Sequence, residues 1–287
     1  EQQVSGQDPK TGGRQSYGVY AQGDFAVLTN LHFNAGVRYD QTGDFDAAFN
    51  PRLALIYNPV KTSTFKALYG TAFRAPSFYE INESDQPLKP ETITSYELVY
   101  EQEIGSHLRS SVSGFYNQME DLLVFSSGSF TNFNAETKGM ELALSGLWTN
   151  GLRGRVSYSL QETRNHSVAW EMPDSPTHLV KFNLSVPLYR DKIFAGVEFQ
   201  YASDRQTLDT IPDPNRGQVT VQGQEAAGFG IVNLTLFSQN LIKNLEFSAS
   251  LYNLLNRSYS DPASHFHVQD KIEQDGRSFR LKLTYRF

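Results

Sequence analysis

The chain has 287 residues, of which 39% are hydrophobic and 13% aromatic, with 15 Tyr, 20 Phe, no Cys and a net charge of −6. No run of roughly 18 apolar residues occurs, which excludes a transmembrane helix, and so many aromatics are not the composition of a disordered chain. The absence of cysteine removes disulfides, zinc–thiolate sites and thiol nucleophiles, and a mildly acidic balance without a basic stripe argues against nucleic acid as partner.

Residues 1–13 are polar and contain Gly6, Pro9, Gly12 and Gly13, the composition of a loop. Beyond them, apolar and polar residues alternate with period two to the last residue. This predicts about thirteen strands, near 15–25, 29–40, 49–58, 62–74, 92–104, 108–118, 137–149, 152–162, 177–187, 192–202, 229–238, 244–253 and 277–287. In the second, Leu31, Phe33, Ala35, Val37 and Tyr39 oppose His32, Asn34 and Arg38. In the last, Phe279, Leu281, Leu283, Tyr285 and Phe287 oppose Arg280, Lys282, Thr284 and Arg286. Successive side chains on a strand point to opposite faces, so one face is apolar and the other polar. No helix of convincing length competes.

The predicted connections alternate in length. Those at 28–29, 59–61, 105–106, 149–151, 189–191 and 242–243 are short, and those at 41–48, 75–91, 119–136, 163–176, 203–228 and 254–276 are long. Strict alternation implies antiparallel neighbours, with tight turns at one end and long loops at the other, as in outer-membrane barrels. About ten residues at ~3.3 Å rise, tilted roughly 45°, also span close to the ~25 Å apolar band of such barrels. A soluble β-sandwich alternates too, but nothing in it segregates loop lengths by end. Single-chain barrels have even strand numbers, so an odd count ending at a periplasmic Phe287 makes residues 1–13 the end of an extracellular loop. Residues 14–287 are then expected to be the C-terminal part of a larger barrel.

Several pieces, in this order, resemble TonB-dependent outer-membrane receptors: Tyr17–Gln22 with Ala35–Asp40, Asn50–Tyr57, Tyr69-Gly70-Thr71-Ala72-Phe73-Arg74-Ala75-Pro76-Ser77, Leu88–Thr92 with Tyr96–Leu98, Tyr252-Asn253-Leu254-Leu255-Asn256-Arg257 with Tyr259, and Tyr285-Arg286-Phe287. The resemblance implies an all-β, antiparallel transmembrane barrel of 22 strands in a Gram-negative outer membrane. It also implies an N-terminal plug that couples to the energy-transducing protein TonB, neither of which is visible in these residues. The alternating apolar residues Phe279, Leu281, Leu283 and Tyr285, with the terminal Phe287, resemble the signal read by the barrel assembly machinery. Gly70 suits a close approach or a bend, and Pro76 and Pro90 bracket a segment that has left the sheet.

No catalytic constellation is present, and no enzyme, cofactor or fixed metal is expected. His265 and His267 share one side of an extended segment, a spacing that suits metal or haem iron, but solvated loop histidines are the commoner case. Glu80, Glu83 and Asp85 are read as a solvated acidic loop. Phe78, Tyr79, Trp170 and His265 are candidates for stacking on a flat chelate, and Arg74, Arg205 and Arg257 for meeting anionic groups; interface anchoring is the competing role for the aromatics. Polar residues such as Arg38, Lys66, Glu97, Glu101, Arg153, Arg155, Lys181, Glu198 and Arg280 would line the lumen. The family resemblance implies active uptake of a scarce ligand, a ferric siderophore first, with cobalamin or haem as alternatives and outer-membrane lipid as surroundings. A passive porin of about fourteen strands and a soluble carbohydrate-binding or adhesive β-protein are the competing readings.

Overall fold

The computed structural model describes residues 13–43, 45–126, 129–165, 174–190, 192–213, 217–263, 267 and 269–287. Ten strands follow one another as neighbours: β1 (Ser16–Leu28), β2 (Leu31–Thr42), β3 (Ala48–Val60), β4 (Ser63–Arg74), β5 (Glu91–Ile104), β6 (Leu108–Ser126), β7 (Ser129–Leu147), β8 (Arg153–Asn165), β9 (His178–Tyr189) and β10 (Ile193–Ala202). A hairpin of β11 (Arg205–Asp213) and β12 (Gly217–Ala226) leaves the sheet, which resumes with β13 (Phe229–Ile242) and β14 (Leu245–Tyr252). The short pair β15 (Ser260–Pro262) and β16 (Lys271–Glu273) precedes the last strand, β17 (Ser278–Tyr285). Among the described residues the main sheet therefore has 13 strands, all antiparallel to their neighbours, and runs from β1 to β17. Every one of the thirteen predicted strands is among them.

The register explains why the sequence alternates. Phe33, Leu55, Ala67, Leu98, Gly114, Met140 and Leu160 stand in one continuous cross-strand row. Thr64, Glu101, Ser111, Ala143, Ser157, Lys181 and Gln200 form a row on the opposite face. A one-residue slip would exchange the two sets, so the pattern holds the register. Aromatic pairs reinforce the apolar face: Phe65–Tyr100 at 4.6 Å and Tyr69–Tyr96 at 5.2 Å between ring centroids.

That apolar face is not buried by the chain itself. Leu98 is 68% exposed and Phe279 79%, whereas the buried hydrophobic residues among those described are Phe130, Ala135, Phe194, Ala202, Ala226 and Phe229. A sandwich would bury such a face against a second sheet. Here its natural counterpart is hydrocarbon, which removes the soluble alternatives.

Tight turns lie at one end of the sheet, where Gly105 (φ +61°), Gly151 (φ +86°) and Asn244 (φ +62°) take the left-handed conformation that close reversal needs. The long connections lie at the other end, and several of them carry more structure than the sequence suggested, among them 254–276 with its β15–β16 pair. The predicted loop 119–136 is largely strand, because β6 and β7 run on as 19-residue strands past a bulge between Met119 and Leu122. Asp121 there has φ +55°. A bulge shifts the alternation by one residue, so the strand seemed to end where it only changed phase. The predicted loop 203–228 contains the β11–β12 hairpin. Between Pro76 and Pro90 the chain does leave the sheet, forming the five-residue helix α1 (Phe78–Asn82). No helix among the described residues is long and apolar enough to cross a membrane, which leaves crossing by strands open.

Candidate ligand-facing rim

The sequence-predicted contact residues that the structure describes gather at the long-loop end, in separate groups. Arg74 is the last residue of β4, where its guanidinium reaches two carboxylates. One is Glu80 of α1, at 2.9 Å, and the other is Glu91 at the start of β5. Ser77 caps α1: its Oγ accepts from the Glu80 N–H at 3.3 Å, and its own N–H donates to Glu80 Oε2 at 2.7 Å, a reciprocal capping box. Burial alone would raise the Glu80 carboxyl. Hydrogen bonds from Arg74 and Ser77 outweigh it and hold the group below its ordinary value. Bonds to Glu91 first, then Glu80, in turn hold Arg74 charged. Arg74 is thus half exposed but already occupied by protein carboxylates.

The loop carrying α1 is tied down on both sides. Arg14 donates to the Pro76 carbonyl at 2.6 Å and lies over the rings of Phe45 (5.1 Å) and Phe78 (4.8 Å). Tyr79 meets Phe130 edge-on at 5.9 Å, on the extended β6–β7 hairpin. Asp85 N–H donates to Ser129 Oγ at 2.9 Å, and Lys89 N–H to Asn132 Oδ1 at 3.0 Å. Phe78 and Tyr79 still present 42% and 52% of their surfaces outward. Of the acidic trio, Glu80 is an ion-pair partner and Glu83 closes the helix, donating its N–H to the Tyr79 carbonyl. Among the described residues no cluster of His, Asp and Glu suits a metal ion.

A second group centres on Arg205, the first residue of β11, which is only 9% exposed. Its Nη1 donates to Asp174 at 3.1 Å in the β8–β9 connection. Its Nη2 donates to Asp261 at 2.7 Å and to the Ser260 carbonyl at 3.2 Å, on β15. The guanidinium lies 5.5 Å from the centre of the Phe229 ring, which packs on Tyr259 at 4.2 Å. Burial pushes the Tyr259 phenol up, with Asp261 and Asp275 adding to it. One side chain therefore joins three long connections.

Arg257 lies in a third arrangement. Asn253, with φ +46°, accepts the Arg257 N–H on its side-chain oxygen at 2.8 Å and donates to the Arg257 carbonyl at 2.7 Å. The Asn256 side chain accepts the Arg277 N–H at 2.8 Å. The two asparagines of the Tyr252–Arg257 motif therefore end β14 and shape the following loop, and Arg257 is exposed there. His267 is also exposed, whereas Trp170 and His265 lie outside the described residues.

Phe279, Leu281, Leu283 and Tyr285 share the outward face of β17, and Phe287 follows it, 6.3 Å from Tyr285 between ring centres. Gly70 has room for a Cβ, 3.5 Å from Arg52, so nothing in this wall demands glycine there. Sequence reasoning did not single out Arg14, Glu91, Asp174 or Asp261. Their partners stand as far as 62 residues away in the chain, and no local pattern signals such a pairing.

Residues 2–254 match the family model described as "TonB dependent receptor-like, beta-barrel". The chain is 25% identical, over 274 residues, to the vitamin B12 transporter BtuB of Photobacterium profundum, covering 88% of this chain and 43% of that one. It is similar in fold to the copper transporter OprC, with TM-score 0.76, 20% identity and coverage of 96% and 48%. The ferripyoverdine receptor of Pseudomonas aeruginosa gives TM-score 0.75, 17% identity and coverage of 95% and 38%. The chain thus spans less than half the length of each of these relatives. With its strands paired as in those barrels and its apolar face turned outward, the chain belongs to the TonB-dependent receptor β-barrel family and forms barrel wall of a Gram-negative outer-membrane protein.

Proposed function

We propose that residues 14–287 are the C-terminal part of the barrel of a receptor that actively takes up a scarce ligand, with a ferric siderophore as the first candidate. The rim carries this reading. Arg74 braces the β4–β5 connection against the two strands it joins, Arg14 and Arg205 tie separate connections to one another, and the aromatic Phe78 and Tyr79 remain outward. A preorganised mouth of aromatic and polar groups suits capture of a bulky chelate. Residues 1–13 would then end an extracellular loop, and a plug supplied by the rest of the protein would couple to TonB. No bond of the ligand need be broken. Phe279, Leu281, Leu283, Tyr285 and Phe287 would be read by the barrel assembly machinery.

Cobalamin is the second reading, favoured by the likeness to a vitamin B12 transporter. The experiment is deletion of the full-length gene, followed by uptake of radiolabelled ferric siderophores under iron starvation and growth limited by cobalamin. Siderophore uptake is expected to fall to background. Loss of cobalamin-dependent growth alone would transfer the assignment to the second reading, and loss of neither would overturn both.

A further inference from the structure

The six connections at the long-loop end fall into two sets of three. In the first set, Arg14 lies over Phe45 of the β2–β3 connection and over Phe78 of the β4–β5 connection, and donates to the carbonyl of buried Pro76. The β4–β5 connection in turn bonds the extended β6–β7 hairpin. Phe130 N–H donates to the Glu83 carbonyl at 3.0 Å, Ser84 Oγ to the Phe130 carbonyl at 2.8 Å, and Leu123 N–H to Glu91 Oε1 at 2.8 Å. Ser129 and Phe130 are buried there.

The second set joins the β8–β9, β10–β13 and β14–β17 connections through Arg205 and its partners Asp174, Ser260 and Asp261. Further bonds repeat the same links: Asp174 N–H donates to the Gln206 carbonyl at 3.1 Å, Ser203 N–H to the His178 carbonyl at 2.9 Å, and Lys271 Nζ to the Glu225 carbonyl at 3.3 Å. Ala202, Ser203, Thr207, Ala226 and Phe229 are buried in this set. Between the sets stands the β7–β8 ladder, from Leu147 opposite Arg153 to Ala135 opposite Asn165. Across it the hydroxyls of Thr137, Thr163 and Ser175 meet at 2.9 and 3.3 Å and fasten the second set to the wall.

A buried guanidinium shared by several acceptors does not release them one at a time. Losing one partner leaves the remaining charges badly compensated where water is scarce, so the next bonds weaken as well. Proteins open locally in such cooperative units. We propose that Arg14 and Arg205 are positioning residues that divide this end of the wall into two rigid blocks, each opening as one unit and independently of the other. A ligand arriving at the mouth then meets two prebuilt jaws rather than six separate loops. The blocks depend on no particular ligand; their use in capture rests on the receptor reading.

The test is hydrogen exchange of the full-length protein in detergent, read by mass spectrometry, with heat-modifiable migration confirming that each barrel has assembled. Arg205→Gln is expected to lower protection by roughly tenfold or more, as loss of charged hydrogen bonds implies, in peptides from 174–177, 203–207 and 259–263 together. Peptides from 45–47, 77–90 and 129–133 should be unchanged, and Arg14→Gln should give the converse. Asp174→Asn alters a largely exposed side chain, yet should also loosen 259–263. Unaltered protein supplies the measurement that needs no variant: at alkaline pH, where exchange outruns reclosing, the three connections of one set should open at a single shared rate. Loss confined to the connection that carries the substitution, loss that spreads through both sets, or three unrelated opening rates within one set would each overturn the inference. None of these outcomes touches the receptor reading, which stands or falls on uptake after deletion of the gene.

Discussion

Glu80 sits between two elements, accepting hydrogen bonds from Arg74 at the end of β4 and from the Ser77 N–H that opens α1. Its folded value lies below the ordinary 4.5. A carboxyl depressed in this way contributes stability that is fully present above the unfolded value and is lost as pH falls through the folded one. The protection of the α1 amides, taken as exchange relative to an unstructured chain at the same pH, is therefore expected to hold at neutral pH and to fall as pH drops below about 4.5, where carboxylates begin to titrate. Glu80→Gln should show low protection at every pH; a pH response of protection that survives this substitution would assign the effect elsewhere. Arg205 makes the complementary point about residue roles. As a cation in a long connection it suggested ligand contact, yet it is buried and holds Asp174 and Asp261. Its place beneath the rim suits positioning the loops.

Among the elements, β17 shows how strictly the two faces are kept apart. Leu281 faces outward in the row of Ala249, Leu236 and Ala195, while Arg280 and Lys282 on either side face the lumen. Leu281→Arg would place a cation against lipid near mid-depth, at a cost of about 2–4 kcal/mol. The expected outcome for the full-length protein is a lower urea midpoint and less heat-modifiable barrel, with Arg280→Leu far milder. In the same assembly assay, deleting Phe287 should reduce the folded fraction if β17 is the assembly signal. The elements also mark where alternation is a reliable guide. It located all thirteen strands of the main sheet, because each needs one wet and one apolar face. It failed beyond Met119, where the bulge at Asp121 changes the phase, although Leu123 and Phe125 resume the alternation one step out.

At the scale of the whole molecule, the sheet formed by the described residues ends at β1 and β17, each paired on one side only. Lipid offers no hydrogen-bond partners, so such edges must be closed by further strands before the wall can stand in a bilayer. These 287 residues alone, refolded in detergent, are accordingly expected to give no steady conductance in planar bilayers. Discrete, stable steps from the isolated chain would revive the passive-channel alternative.

By itself the sequence determined the fold class, the strand positions, the two faces and the segregation of long and short connections. These follow from local periodicity, imposed by lipid on one side and water on the other, and each strand carries its own share. Only the tertiary structure decided which charges are satisfied. Arg205 with Asp261 and Arg14 with Pro76 meet across 56 and 62 residues, and the pairs are chosen by strand register and loop packing. Among the described residues, the same register sets Lys181 and Lys282 on the lumen face with no ion-pair partner.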